Sequence, residues 1–364
     1  MNLDAITTPT LLLDEEKCRR NINRMAEKAK EHELKFKPHF KTHQSAEIGN
    51  WFREEGVKAI TVSSLKMAEY FAANGWNDIT VALPVNIRAI NQINDLSSKI
   101  KLSLLINDMR SLKFLNKRLA CQVNLYLEID TGDQRSGIDP SNIELISQLT
   151  DYIISSEKML FSGFYSHPGH SYACKGTNEV RSLHQNVLHK VQKLKSLFKL
   201  NTNSYSVCIG DTPCCSLAKD FNDIDEISPG NFVFYDLMQT QIESCTLKDI
   251  AVALACPVVA KYKDRHEIII HGGAIHFSKE FLTLDGVKQF GAPVILNNDG
   301  WNKGVKNSYL KSLSQEHGII KCSKDLFETI STGDLIGILP IHSCLTANLM
   351  RSFITTSGNE INQW

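Results

Sequence analysis

The chain has no apolar run long enough to cross a bilayer, which takes about 20 residues. Its best candidate, residues 250–260, is short and is broken by Pro257. It also has no charge excess: 40 Lys and Arg stand against 40 Asp and Glu in 364 residues. A nucleic-acid binder shows a basic surplus or a basic stripe, so that class is excluded. Ten cysteines are present, yet none forms a CxxC pair, and adjacent Cys214 and Cys215 are poorly placed to bridge each other. Reduced thiols in a cytoplasmic protein are therefore expected rather than a disulfide framework. No leader is expected either. Asp4 stands where a positive region would be, and Leu11-Leu12-Leu13 runs into Asp14-Glu15-Glu16. With 42% hydrophobic and 22% charged residues the composition is that of a globular chain, neither disordered nor fibrous. The length suggests about two domains.

Over the first two-thirds, short apolar or β-branched runs alternate with amphipathic helical patterns. The runs 34–38, 59–63, 78–83, 101–106, 122–129, 159–166, 204–209 and 225–233 are predicted strands. Helical patterns at 45–55, 66–74, 87–97, 109–119, 142–155, 179–198 and 214–219 separate them. Such alternation implies βαβ units and a parallel sheet. Eight strands fit a (β/α)8 barrel better than an open doubly wound sheet, which is the alternative. A helix over 15–32 precedes the first strand and is expected at one end of the barrel. After about residue 237 helical periodicity thins. Strand-like runs at 241–246, 251–261, 267–270, 294–297, 318–322 and 335–339 follow, separated by turn signals such as Asn298-Asp299-Gly300. The expected fold class is α/β: a barrel over 10–236, and a second, mostly β domain over 237–364 with 1–9.

Several segments carry chemistry. Lys37-Pro38-His39-Phe40-Lys41-Thr42-His43 falls at the C-terminal end of the first barrel strand, the active-site face of such barrels. A lysine aimed into that mouth is expected to be partly desolvated, which favours the neutral amine used in Schiff-base chemistry. A basic surface loop is the plainer alternative. Gly210-Asp211-Thr212-Pro213 follows the seventh strand and opens a short helix, a place suited to phosphate; an ordinary capped turn is the alternative. His342-Ser343-Cys344 lies among strand-like runs. Residues two apart on a strand share a face, so the imidazole and thiolate could share a zinc ion, with core burial as the alternative. Arg135, within 128–137, and Tyr165 and His167, within 164–170, also end strands. Lys41, Arg135, Tyr165, His167, Gly210 and Thr212 thus converge on one barrel face. His32, His184 and His189 read as surface or helix-packing residues.

In this order, and with Thr8-Pro9-Thr10-Leu11 and Ser228-Pro229-Gly230, the segments resemble the fold-type III pyridoxal-phosphate enzymes. The branch is that of eukaryotic-type D-serine dehydratase, D-threo-3-hydroxyaspartate dehydratase and D-threonine aldolase, and the resemblance spans nearly the whole chain. It implies an alanine-racemase-like barrel with a β domain. It makes Lys41 the catalytic lysine that carries pyridoxal 5'-phosphate as a Schiff base. His39, Arg135, Tyr165 and His167 would surround the cofactor. Gly210, Asp211 and Thr212 would hold its phosphate, with Tyr235 near. His342 and Cys344 match the metal pair. Family dehydratases carry His-x-Cys there and aldolases His-x-Asp. A thiolate favours Zn2+ over harder divalent ions, which remain the alternative. The implied activity is elimination of water from a D-β-hydroxy amino acid to a keto acid and ammonia. Aldolase cleavage to glycine and an aldehyde is the alternative; a racemase or a cofactor carrier fits less well. A homodimer is also implied. His317 falls in a segment resembling one near family active sites. Gln44, where many members have lysine, and the stretch Ile270-His271-Gly272-Gly273-Ala274-Ile275-His276 depart from the family pattern.

Overall fold

The computed structural model describes residues 1–198, 205–301 and 304–364. The chain divides into two compact units, one of residues 24–41 and 49–230, the other of residues 1–23, 42–48 and 231–364.

The first unit is a parallel barrel. Its strands are Lys35–Phe36, Ile60–Val62, Asp78–Pro84, Lys101–Ile106, Val123–Glu128, Met159–Ser166, Ser206–Ile209 and Glu226–Ile227. They pair in sequence order, and the first pairs with the eighth, Lys35 opposite Glu226. A single bridge, His39 to Thr61, joins the first strand's extension to the second and nearly closes the ring. The strands are short apolar runs covered on both faces, as parallel strands must be; Ile60, Val62, Leu102, Leu104, Leu125 and Leu127 are all buried. The intervening helices begin at side-chain caps. Ser64, Asp108, Asn142 and Asp211 each accept a hydrogen bond from a backbone N–H three residues on. The predicted run 204–209 begins at Ser204, outside the described residues; the strand is seen from Ser206. The eighth strand is shorter than the predicted 225–233, and Asn231–Val233 forms a 3-10 turn.

The second unit centres on a nine-stranded sheet around the long strand Val252–Tyr262. Thr10–Leu13 lies antiparallel to its first half and parallel to Ser352–Thr355 on the other side. Leu335–Pro340 pairs with residues 254–257, and Glu267–His271 with residues 258–262. Pro257, without an N–H, and the bulge between Val258 and Ala260 mark where the strand changes partner.

The division departs from the expected boundary at residue 236. Leu11, Leu12 and Leu13 are buried in a strand flanked on both sides, so residues 10–23 belong to the sheet unit, as do 231–236. The predicted helix over 15–32 is Glu15–Glu31. It is shared: Asn21 Nδ2 donates to Asp249 O at 2.8 Å in the sheet unit, and Lys28 Nζ to Ser216 O at 2.8 Å in the barrel unit. The predicted strand 241–246 is absent. Asp236 caps a helix, Leu237–Gln241, and Glu243, at φ 67°, turns the chain out of it. All ten cysteines are free thiols. Among the described residues no helix is long and apolar enough to cross a membrane.

Candidate active site

At the barrel's first strand the backbone stays extended past Phe36, and the His39 N–H donates to Pro229 O at 2.8 Å. The buried lysine of this segment is Lys37, only 1% exposed, with Nζ 3.2 Å from Glu226 Oε2 and 3.3 Å from the Tyr126 hydroxyl. The Tyr126 O–H donates to the same carboxylate at 2.9 Å. Lys41 is exposed. The burial expected of Lys41 therefore falls on Lys37, whose Nζ meets Glu226 and Tyr126 inside the barrel. The Lys41 N–H donates to His39 Nδ1 at 3.3 Å, which fixes the buried His39 ring over the turn.

Tyr165 and His167 come from the end of Met159–Ser166. Burial raises the Tyr165 pKa, so it stays a phenol. His167 Nδ1 pairs with the Gly210 carbonyl. Burial, then the charges of Lys41 and Arg135, hold its pKa down to about 3. It is therefore a neutral imidazole with Nδ1–H donating and Nε2 free to accept. Arg135 reaches solvent, with Nε 3.8 Å from Asp133 Oδ2.

The 210–212 loop is tightly specified. A Cβ on residue 210 would stand 2.7 Å from the Tyr165 hydroxyl and 3.1 Å from Ser228 O, so only glycine lets the backbone pass. Asp211 is extended, at φ −134° and ψ 149°, and its Oδ2 accepts from the Cys214 N–H at 2.8 Å and the Ser171 hydroxyl at 2.7 Å. That carboxylate is committed to the helix cap. Thr212 N–H donates to the Tyr172 hydroxyl at 3.3 Å. Thr212 Oγ1 is buried with no partner among the described residues. A buried hydroxyl that lacks a partner, beside a glycine backbone, fits a phosphate oxygen. Tyr235 belongs to the sheet unit, where its N–H donates to Asn231 O at 2.8 Å with φ 50°.

The second cluster lies in the sheet unit. His342 and Cys344 are not on a strand. His342, at φ −130° and ψ 100°, is the N-cap of the helix Ser343–Met350, and Cys344 lies in its first turn. Cys344 is buried, with Sγ 3.2 Å from Thr42 Oγ1 and 3.5 Å from Asn231 Nδ2. Thr42 directly follows Lys41 in the chain.

Sequence reasoning missed Asp236, the fully buried hub of this cluster. Its Oδ1 accepts from the Gln239 N–H at 2.9 Å. Its Oδ2 accepts from Asn231 Nδ2 at 2.6 Å and the Ser343 N–H at 3.0 Å, and lies 3.4 Å from His342 Nδ1. Burial opposes a charge on His342, but Cys344 and Asp236 outweigh it and hold the imidazolium up to about 11. With Nδ1 turned to a carboxylate, Nε2 would be the atom left to meet an ion, the usual carboxylate–histidine–metal order. The donor set of imidazole and thiolate fits zinc.

Lysine after the first barrel strand, a glycine-threonine loop after the seventh and a sheet unit together define an alanine-racemase-like architecture. Residues 13–237 match the family described as "Alanine racemase, N-terminal domain", and the chain belongs to it. Residues 251–356 match the "Putative serine dehydratase domain". D-serine dehydratase from Dictyostelium discoideum is 29% identical over 390 residues, covering 99% of this chain and 96% of that protein. D-threo-3-hydroxyaspartate dehydratase from Delftia sp. is 25% identical, covering 94% and 92%. Its solved structure aligns with a TM-score of 0.89 at 24% identity, over 100% of this chain and 98% of that one. A cysteine-to-alanine variant of that dehydratase has been solved in a metal-free form, with a TM-score of 0.90 at 23% identity over 100% and 99%. D-threonine aldolase from Arthrobacter sp. is 25% identical, over 46% of this chain and 45% of that protein. The family is pyridoxal-phosphate-dependent, and these named relatives are lyases.

Proposed function

We propose that this protein is a pyridoxal-phosphate- and zinc-dependent dehydratase of D-β-hydroxy amino acids, releasing a keto acid and ammonia. The observation that carries this reading is the buried Cys344 two residues from a half-buried His342 that Asp236 backs: a donor set that would offer a divalent cation sulfur rather than a second carboxylate.

When bound, pyridoxal phosphate supplies an electron sink for the substrate's α-carbon, and a divalent cation supplies Lewis acidity at the β-hydroxyl. The chain supplies the rest. Lys41, exposed at the barrel mouth, would carry the cofactor and take the α-proton as general base. Thr212 Oγ1 and the Gly210 backbone would hold the phosphate. Tyr165, kept as a phenol, and His167, kept as a neutral imidazole, would give the mouth one donor and one acceptor without adding charge. Asp236 would orient His342, and Thr42 and Asn231 would donate to the Cys344 sulfur.

The test is product identification with purified, cofactor-loaded protein offered D-serine, D-threonine and D-threo-3-hydroxyaspartate, with and without a chelator. Keto acid and ammonia are expected, lost on chelation and in Cys344→Ala. Glycine with an aldehyde would overturn the dehydratase reading in favour of retro-aldol cleavage. Full dehydratase turnover in Cys344→Ala would remove the metal from it.

A further inference from the structure

A second cluster of metal-ligating side chains lies in the sheet unit, on the segment that departs from the family pattern. His271 ends the strand Glu267–His271, and His276 sits in the single-turn helix Ala274–Phe277. Glu316 lies in the turn between Tyr309–Leu313 and His317–Lys321. His271 Nε2 is 3.6 Å and His276 Nε2 4.0 Å from the same oxygen, Glu316 Oε2. One ligand atom from each of the three lies within 4.8 Å of the others.

The backbone holds these side chains together. Gly272 N–H donates to Glu316 O at 2.8 Å, and Ala274 N–H to Ser314 O at 2.8 Å. A Cβ on Gly273 would overlap the Gln315 carbonyl, so the histidine-bearing loop and the Glu316 turn are pressed together in a way only glycine permits. All three side chains are partly exposed, which gives an ion access.

We propose that His271, His276 and Glu316 form a second divalent-cation site, separate from His342 and Cys344 and taking a borderline ion such as zinc. The donor set, two imidazole nitrogens and one carboxylate oxygen, is that of a three-ligand zinc site with one position left for water. Metal–ligand bonds of about 2.1 Å in a tetrahedral site place ligand atoms about 3.4 Å apart. Two of the separations here exceed that by a fraction of an ångström, and a swing of the exposed Glu316 carboxylate closes them.

His276 Nδ1 now accepts from the Gly273 N–H at 3.1 Å. Coordination through Nε2 moves the ring proton to Nδ1 and sends that N–H to water. The lost hydrogen bond makes the site weaker than a dedicated structural zinc centre. Occupancy has a consequence next door: Thr346, on the helix that carries Cys344, donates to Phe277 O at 3.4 Å. An ion held by His276 would therefore brace the support of the first pair.

The proposal stands independently of the dehydratase reading, because its test counts metal rather than turnover. The full chain, loaded with cofactor, is dialysed against excess Zn2+, and bound zinc is measured by elemental analysis. Two zinc ions per chain are expected in the wild type, and one in Cys344→Ala, in His276→Ala and in His271→Gln. The last is a milder change that keeps the assay usable if His276→Ala fails to fold. With Co2+ in place of zinc, only the Cys344 site shows a thiolate-to-metal charge-transfer band. That band should survive in His271→Gln while one cobalt is lost. A single zinc that disappears in Cys344→Ala, or two that persist in both histidine variants, would overturn the proposal. A single zinc lost in the histidine variants but kept in Cys344→Ala would support it and count against the first pair instead.

Discussion

Asp236 shows how much one buried carboxylate can organise. It caps a helix through one oxygen and, through the other, joins Asn231, Ser343 and His342. Carboxylates behind metal-bound histidines typically change metal affinity 10- to 100-fold. Asp236→Asn keeps the volume and the capping oxygen but removes the charge. It is expected to weaken zinc binding at His342 and Cys344 by about that factor, read by competition with a chromophoric chelator. Unchanged affinity would mean that Asp236 serves the helix alone. No motif announces this residue. It lies more than a hundred positions from the pair it supports, and an Asp before a short helix reads as an ordinary cap. The segment around Lys41, by contrast, stands out in the sequence because its lysines and histidines are contiguous at the end of a predicted strand.

The barrel strands were legible because each βα unit writes its own pattern locally: a buried run, a cap, an amphipathic helix. The helix Ser343–Met350 was not, because its periodicity misleads. Leu345 and Leu349 face outward at 38% and 41% exposure, while Cys344, Thr346 and Ala347 are buried. Small residues form the packed face and large apolar ones do not, so hydrophobicity does not mark the helix. One element-scale prediction concerns the barrel lumen. Lys37, just past the first strand, shares the Glu226 carboxylate with Tyr126, and Lys35 Nζ lies 3.8 Å from its other oxygen. Removing one partner of a buried ion pair typically costs about 3–5 kcal/mol, because the other charge stays buried. Lys37→Met should therefore lower the urea midpoint sharply, and Lys37→Met combined with Glu226→Gln should recover much of it. Equal loss in the single and double variants would show that packing, not charge, sets the effect.

Across the whole molecule, buried histidines tie stability to pH. Burial holds His43 and His167 to pKa values of about 3, against about 6.5 in an unfolded chain. Between those values the unfolded chain binds protons that the folded one excludes. Stability from these groups is thus complete above pH 6.5 and falls as pH drops, by about 1.4 kcal/mol per unit for each histidine. Burial of Glu128 and Asp211, which raises their pKa values, works in the opposite direction, so the contribution must be isolated. Urea unfolding of wild type and His43→Gln at pH 7.5, 6.5 and 5.5 does this. The wild type should lose stability more steeply on acidification than the variant, and identical slopes would exclude His43 as a source. At this scale the sequence was least readable. The sheet unit is assembled from three separate stretches, and nothing local in Thr10–Leu13 says that its partners are Val252–Tyr262 and Ser352–Thr355.

That pairing has a consequence for how the protein is made. Thr10–Leu13 precedes the other described strands in the sequence, yet its antiparallel neighbour is encoded about 240 residues later and its parallel neighbour nearly a hundred beyond that. At roughly 5–20 residues per second the interval to the first partner is about 12–50 seconds. Each barrel strand meets its successor within a fraction of that time. Three consecutive leucines, destined for full burial, therefore wait unsatisfied through most of synthesis. The length of that wait is set by the separation of the two partners, and variants that slow translation between residues 13 and 252 should lengthen it.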